Sequence, residues 1–425
     1  MGTDRVILGN GEHCIYSTDP EITGLNNNIL VVGSSGCGKT MSISEARLLE
    51  TRNSSLIMTV TKRRIVKKYR NMMEERGYEV WDLNFVHPEE GSIGYDPLDY
   101  IQTEADITFT ARSIVLADGR KIKSNADPYW DEAAISLLSA EIGYVLETEE
   151  HPTFGDVLDM HEHLTFEECA GQIRTSYDRQ FELLELADPS CFAVRCWKSF
   201  QQLPIRTSSC VFGALNTTID SVFGKEIRTM FCKEKKVNFE HLASGKTLLF
   251  VTTSPVNPAL NCVINLFYGH AFKELFEFAE DRPDGKLPVP VHLLADDFAT
   301  GCPVPLFDEY ISIFREKQIS VTLLIQSESQ LQALYGDRAV TIINNCDSYV
   351  FMGSMDLQTA RNISLRADLP LEEVLYMPVG RQILFRRGQK PVFTERYDIL
   401  HNELYQSITR RYEEQLAGGT GREPD

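Results

Sequence analysis

The stretch "VVGSSGCGKT", residues 31 to 40, constrains this chain more than any other. It follows the apolar run "NILVVG" and precedes the helical pattern "TMSISEARLLE", so a buried strand, a glycine-rich loop and a helix come in that order. Gly33, Gly36 and Gly38 let the backbone wrap closely. The N–H groups along Gly33, Ser34, Ser35, Gly36, Cys37, Gly38, Lys39 and Thr40 can then point at phosphates, helped by the helix N-terminus. Lys39 would reach the β- and γ-phosphates and the Thr40 hydroxyl would hold Mg²⁺, so the expected ligands are ATP and Mg²⁺. Cys37 fills a small-residue slot and would make the loop sensitive to thiol reagents.

A loop of this kind needs a carboxylate at the end of a neighbouring strand to hold Mg²⁺. The run "VHLLADD" (291–297) ends in two acids. Asp296 is the candidate on the Mg²⁺ side, and Asp297 the candidate that polarises the attacking water. Alone, the pair is a weak signal and reads more often as a strand end entering solvent. Gln326 closes the apolar run "ISVTLLI" and either senses the γ-phosphate or is a strand-end amide satisfied by backbone. Arg315, near the end of "FDEYISIFREKQ", is a surface residue or a finger reaching a neighbouring subunit's ATP. "TKRRIVKKYR" (61–70) gathers Lys62, Arg63, Arg64, Lys67, Lys68 and Arg70 on an amphipathic helix, as a solvated face or a phosphate-backbone contact. "HEH" (161–163) is not a metal motif, because side chains two apart do not share a helix face.

Seven apolar runs read as strands: 28–33, 55–60, 78–85, 246–252, 289–295, 319–325 and 348–352. They show little polar alternation, as expected for strands covered on both faces, and helical segments separate most of them. The fold class is α/β, with a largely parallel sheet. Between about 125 and 240 the strand signal gives way to helical periodicity. "NADPYWDEAAISLLSAEIGYVLE" is the clearest case, with Asp127 as cap and a stripe of Trp130, Ala133, Ala134, Leu137, Leu138, Glu141, Ile142 and Val145, apolar except for Glu141. The expected layout is a nucleotide-binding domain over 1–120 and 241–416, an all-α domain over 121–240, and a disordered tail over 417–425. The apolar segment around "ALNCVINLFYGHAFKELFEF" is broken by Asn261, Asn265, His270 and Lys273 and reads as a buried helix.

A formal net charge of −19 excludes a uniformly basic surface, so nucleic acid could be met only by a local patch or a lined channel. The ten cysteines are scattered without a Cys-x-x-Cys pair, which suits reduced thiols in a cytoplasm. The start carries no signal-peptide core and no segment approaches a membrane span, so the chain reads as soluble.

These residues together resemble the type IV secretion coupling proteins, the TraG-type conjugation ATPases, over nearly the whole chain. "GLNNNILVVGSSGCGKT" resembles the family's P-loop entry, "RGYEVWDLNF" with "YDPL" its Gly-Tyr strand and Tyr-Asn-Pro-Leu segment, and "DPYWDEAAISLL" the helix that opens its all-α domain. Most specific is the ordered block "LLADDFATG…FREKQISVTLLIQSESQLQALYG…IINNCDSYVFMG". The resemblance implies a RecA-like nucleotide domain carrying an all-α domain, assembled as a hexamer. Such a ring couples ATP hydrolysis to delivery of relaxase-bound single-stranded DNA, or protein substrates, into a secretion channel at the inner membrane. It carries the roles above onto Lys39, Thr40, Asp296, Gln326 and Arg315.

There are three departures. Asp297 stands where the family normally has Glu. Val60-Thr61-Lys62-Arg63 replaces Asp-Pro-Lys-Gly. The usual N-terminal transmembrane helices do not precede the P-loop, so the expected location is peripheral, on the inner face of the membrane. Two other readings stay open: a nucleotide-gated substrate receptor with little hydrolysis, suggested by Asp297, and a chromosome-segregation-type DNA translocase.

Overall fold

The computed structural model describes residues 4–116, 128–169, 172–254, 257, 259–298 and 303–419. Thirteen strands occur among them: Arg5–Ile7 (β1), Ile15–Ser17 (β2), Ile29–Val32 (β3), Ser55–Val60 (β4), Glu79–Asn84 (β5), Phe166–Cys169 (β6), Gln172–Thr175 (β7), Thr247–Thr252 (β8), Val291–Ala295 (β9), Ile319–Ile325 (β10), Ser348–Phe351 (β11), Arg381–Arg386 (β12) and Val392–Glu395 (β13). Nine of them form one sheet in the order β13-β12-β11-β3-β10-β9-β4-β8-β5. The run from β11 to β5 is parallel throughout, and β12 and β13 add an antiparallel edge.

The seven apolar runs seen in the sequence are the seven parallel strands. β3, β4, β8, β9 and β11 are buried at every position, which is why their sequences lack polar alternation. Their side chains still alternate between two cores. Leu30, Val32, Ile57, Leu249 and Leu293 enter one, and Ile29, Val31, Leu56, Leu248 and Leu294 the other. The first core takes the helix Leu260–Glu280 and the helical segment, and the second takes the helices Ala46–Glu50 and Arg63–Glu75. Because the strands are parallel, all their carboxyl ends lie on one edge of the sheet, where α/β folds of this kind bind ligands.

Three features were not visible in the sequence. The β12–β13 edge was missed because its strands are short, half-exposed and charged. The helical segment also carries the small antiparallel hairpin β6–β7. The last helix, Glu403–Gly419, runs three residues past 416, and the remaining tail lies outside the described residues. The long helix Pro128–Thr148 forms as read, but Trp130 in its first turn is 43% exposed and the buried stripe begins at Ala133. Its proposed cap, Asp127, lies outside the described residues.

Glu141, the acid in that stripe, is fully buried and bonds His161 Nδ1 at 2.8 Å. Burial alone would lower the His161 pKa, but the carboxylate overrides it and holds the value above the ordinary one. His163 faces solvent and donates to the Asp159 carbonyl. The HEH histidines therefore have separate structural partners.

Half of the basic residues in 61–70, Arg63, Lys68 and Arg70, are tied to neighbouring elements. Arg63 pairs with buried Asp82 at 2.6 Å, and Lys68 lies 3.4 Å from buried Glu45 and over the Tyr405 ring, leaving Lys62, Arg64 and Lys67 exposed. The helix Leu260–Glu280 is buried along most of its length. His270, bonded to Tyr95 and Thr110, is pushed down to about 3 by burial and by Lys273, and so stays neutral. No helix among the described residues is long and apolar enough to cross a membrane.

Asp96, in the "YDPL" turn, ties the sheet to the helical segment. Its fully buried Oδ1 accepts from the Leu98 and Phe154 N–H groups at 2.9 and 3.1 Å, and Oδ2 lies 3.4 Å from Lys236 Nζ. Burial raises its pKa to about 6, against the pull of those partners. The folded state then holds this proton more tightly than the unfolded chain, so Asp96 makes stability fall as pH rises from about 4 to about 6, by at most about 3 kcal/mol. An Asn at this position keeps the Oδ1 bonds and cannot ionise. Asp96→Asn is expected to flatten the stability profile over that window in urea titrations. A profile parallel to wild type would show that Asp96 is ionised throughout.

Candidate functional site

The loop after β3 closes on itself and on its neighbours. Gly33 N–H donates to the Ile325 carbonyl at 3.1 Å and Ser34 N–H to the Gly353 carbonyl at 2.9 Å, so the strands on both sides of β3 hold the loop's start. A Cβ at Gly33 would lie 2.6 Å from Cys37 Sγ, and Gly36 and Gly38 have φ of +79° and +96°. These are positions that a side chain would crowd or strain. Ser35 and Gly36 form the exposed tip, and Cys37 is half-buried. The helix that follows starts as a π-helical turn over Thr40–Glu45, an irregularity found often at functional sites. Tyr69 and Lys68 hold Glu45 at the end of that turn.

Lys39 is buried. Its Nζ donates to the loop's own carbonyls, those of Gly33 and, at 3.2 Å, Ser34. Thr40 Oγ1 donates to Asp296 Oδ2 at 2.8 Å, so the two side chains expected to meet Mg²⁺ are already in contact. Burial raises the Asp296 pKa, the Thr40 bond lowers it, and the neighbouring Asp297 charge raises it further. A carboxylate kept in so dry a place next to another acid is suited to a cation.

Asp297 leaves β9 with φ +54°. Asp is one of the few residues that visits this left-handed region readily, a local reason for Asp rather than Glu here. Both acids line a cavity of about 260 Å³ together with Thr59, Thr61, Thr253, Asn265, Tyr268 and Gln326. Gln326 is exposed, and its N–H bonds the Gln330 side chain. The structure thus brings Lys39, Thr40, Asp296, Asp297 and Gln326 to one edge of the sheet.

Arg315 does not join them. It is exposed at the end of the helix Phe307–Lys317, just before β10, and so lies at the amino ends of the strands. There it lines a separate open cleft of about 890 Å³ with Arg47, His292 and Ser320. One residue at the loop went unread in the sequence. Arg396, just past β13, donates from Nη1 to the Cys37 carbonyl at 3.0 Å. No spacing rule could have found a partner 359 residues away on an edge that was itself missed.

Comparison with known proteins agrees with this geometry. The family described as "Type IV secretory system Conjugative DNA transfer" matches residues 2–367. Among curated protein sequences no relative matches. The plasmid coupling protein TrwB in complex with the non-hydrolysable ATP analogue ADPNP aligns with a TM-score of 0.67 and 15% identity, covering 87% of this chain and 85% of that one. TrwB in complex with ADP and Mg²⁺ gives 0.64 and 16% over the same shares. VirB4 of Thermoanaerobacter pseudethanolicus gives 0.56 and 12%, covering 96% and 98%. At these identities the likeness establishes a shared RecA-like α/β fold. The family match spans the P-loop, the acidic strand end and the glutamine strand, and the chain belongs to the type IV secretory system conjugative DNA transfer family.

Proposed function

We propose that this chain is a Mg²⁺–ATP-driven coupling protein that takes up relaxase-bound single-stranded DNA and hands it to a type IV secretion channel. One observation carries the reading: the direct Thr40–Asp296 contact beneath a complete phosphate loop. Thr40 and Asp296 would hold Mg²⁺, which would neutralise phosphate charge, and Lys39, which rests on the Gly33 and Ser34 carbonyls, would be the side chain that meets the β- and γ-phosphates. ADPNP and ADP with Mg²⁺ in the TrwB structures are the basis for assigning those ligands here. Asp297 polarises the attacking water, and Gln326, across the same small cavity, reads the γ-phosphate. Residues 1–120 with 241–416 form the motor domain and 121–240 a helical domain that meets substrate. The protein works at the inner face of the membrane beside the channel components.

The position of Arg315 favours a ring. It lies exposed at the sheet edge opposite its own phosphate loop, so it can serve a nucleotide only on a neighbouring subunit. Six subunits would place each ATP at an interface.

The steady-state ATPase rate with and without single-stranded DNA tests the function. DNA is expected to raise turnover several-fold, and Lys39→Ala to lower it at least a hundredfold in both conditions. Turnover that DNA does not change would instead support a nucleotide-gated receptor. Turnover that survives Lys39→Ala would place catalysis elsewhere.

Subunit mixing tests the ring. Arg315→Ala and Lys39→Ala subunits are each expected to be inactive alone and to regain part of the activity when mixed, because some interfaces then pair an intact loop with an intact arginine. Mixtures no more active than their parts would rule out action in trans.

A further inference from the structure

Arg396 stands against the outer side of the phosphate loop, and the loop motif does not include it. Its place is fixed by the antiparallel edge of the sheet. Arg396 N–H donates to the Gly380 carbonyl at 2.8 Å. The preceding Glu395 pairs with Arg381 across β12–β13, and its carbonyl accepts from Asn10 N–H at 2.8 Å. From there Nη1 reaches the Cys37 carbonyl at 3.0 Å. The fit is close: a Cβ at Gly38 would lie 2.7 Å from Nη1. A side chain at Gly38 would push the guanidinium aside, and the φ of +96° there favours glycine in any case.

The direction of that carbonyl matters. The Cys37 C=O and the Gly38 N–H belong to one planar trans peptide and point in opposite directions. With the oxygen turned out toward Arg396, the Gly38 N–H is turned to the other side, into the loop. The next carbonyl, that of Gly38, is held by Ser42 through both N–H and Oγ, at 2.9 and 2.7 Å. Two consecutive peptides of the loop are thus fixed before any ligand arrives.

We propose that Arg396 is a positioning residue for nucleotide binding: by holding the Cys37 carbonyl outward it aims the Gly38 N–H at the phosphates of a nucleoside di- or triphosphate. It also adds a full positive charge beside an anion-binding loop. The proposal rests on the reading of this loop as the nucleotide site. It predicts an effect on affinity rather than on the chemical step, because Arg396 lies on the side of the loop away from the acids of β9.

The test is titration of a fluorescent ADP, with Mg²⁺, into the full chain. Wild type, Arg396→Ala, Arg396→Lys and Lys39→Ala are compared, alongside the melting temperature of each nucleotide-free protein and kcat at saturating ATP. Arg396→Ala is expected to weaken binding about tenfold, the scale of one hydrogen bond to a charged group. Arg396→Lys, which still offers a charged donor, is expected to recover part of that loss. Melting without nucleotide and kcat should stay near wild type for both. Unchanged affinity in Arg396→Ala, with Lys39→Ala abolishing binding, overturns the proposal and leaves the loop reading intact. An affinity loss matched by a lower melting temperature and not recovered by Lys overturns it in favour of a purely structural role. Wild-type binding that Lys39→Ala does not weaken overturns the loop reading and this proposal with it.

Discussion

The hydrogen bond between Thr40 and Asp296 joins residues 256 positions apart, and the arrangement of the site follows from it. Thr40 opens the helix after β3, and Asp296 follows the last residue of β9. They can meet only if β3, β10 and β9 lie side by side, in parallel and in register. Thr322 on β10 is level with both Ile29 and Leu294, so β3 and β10 end side by side at Val32 and Ile325 and β9 ends two residues short of them, at Ala295. The same alignment brings Gln326 to the acids, while the helix leading into β10 leaves Arg315 at the opposite edge. The geometry therefore divides the candidate residues into a group gathered at the carboxyl ends of the strands and an arginine exposed at the opposite edge.

Burial gives the site its electrostatic character. Asp296 sits in a dry position beside Asp297, held by the Thr40 hydroxyl, the Asp297 backbone N–H and the nearby Lys39 charge. A pair of acids without a cation is a costly arrangement, and a divalent ion would relieve it. Lys39 is folded back on the carbonyls of its own loop, which satisfy its charge. The helical segment is tied to this framework by groups of the same kind. Asp96 accepts the Phe154 N–H from it, and the Glu141–His161 pair sits within its core.

Much of this was legible in the chain for identifiable reasons. Parallel strands covered on both faces read as unbroken apolar runs, so the seven central strands could be placed. The phosphate loop has a fixed spacing, and the acidic strand end was meaningful once that loop was known. The antiparallel edge was not legible, because Arg381, Arg386 and Glu395 make its short strands look like loop. Arg396 went unseen with it. Glu141 stood as the one polar member of an apolar stripe, and its partner His161 is visible only in space. Arg315 was read as either a surface residue or a finger, and the chain alone did not show that it stands exposed at the sheet edge opposite its own phosphate loop.

The most direct test of the central claim is to soak crystals with Mn²⁺ and a non-hydrolysable ATP analogue and to measure the anomalous scattering of the metal. An anomalous peak is expected between Thr40 Oγ1 and the Asp296 carboxylate, with the analogue's phosphates wrapped by residues 33–40 and Lys39 turned onto them. Phosphates bound in the loop with the Thr40–Asp296 hydrogen bond still closed, and the metal elsewhere or absent, would contradict it.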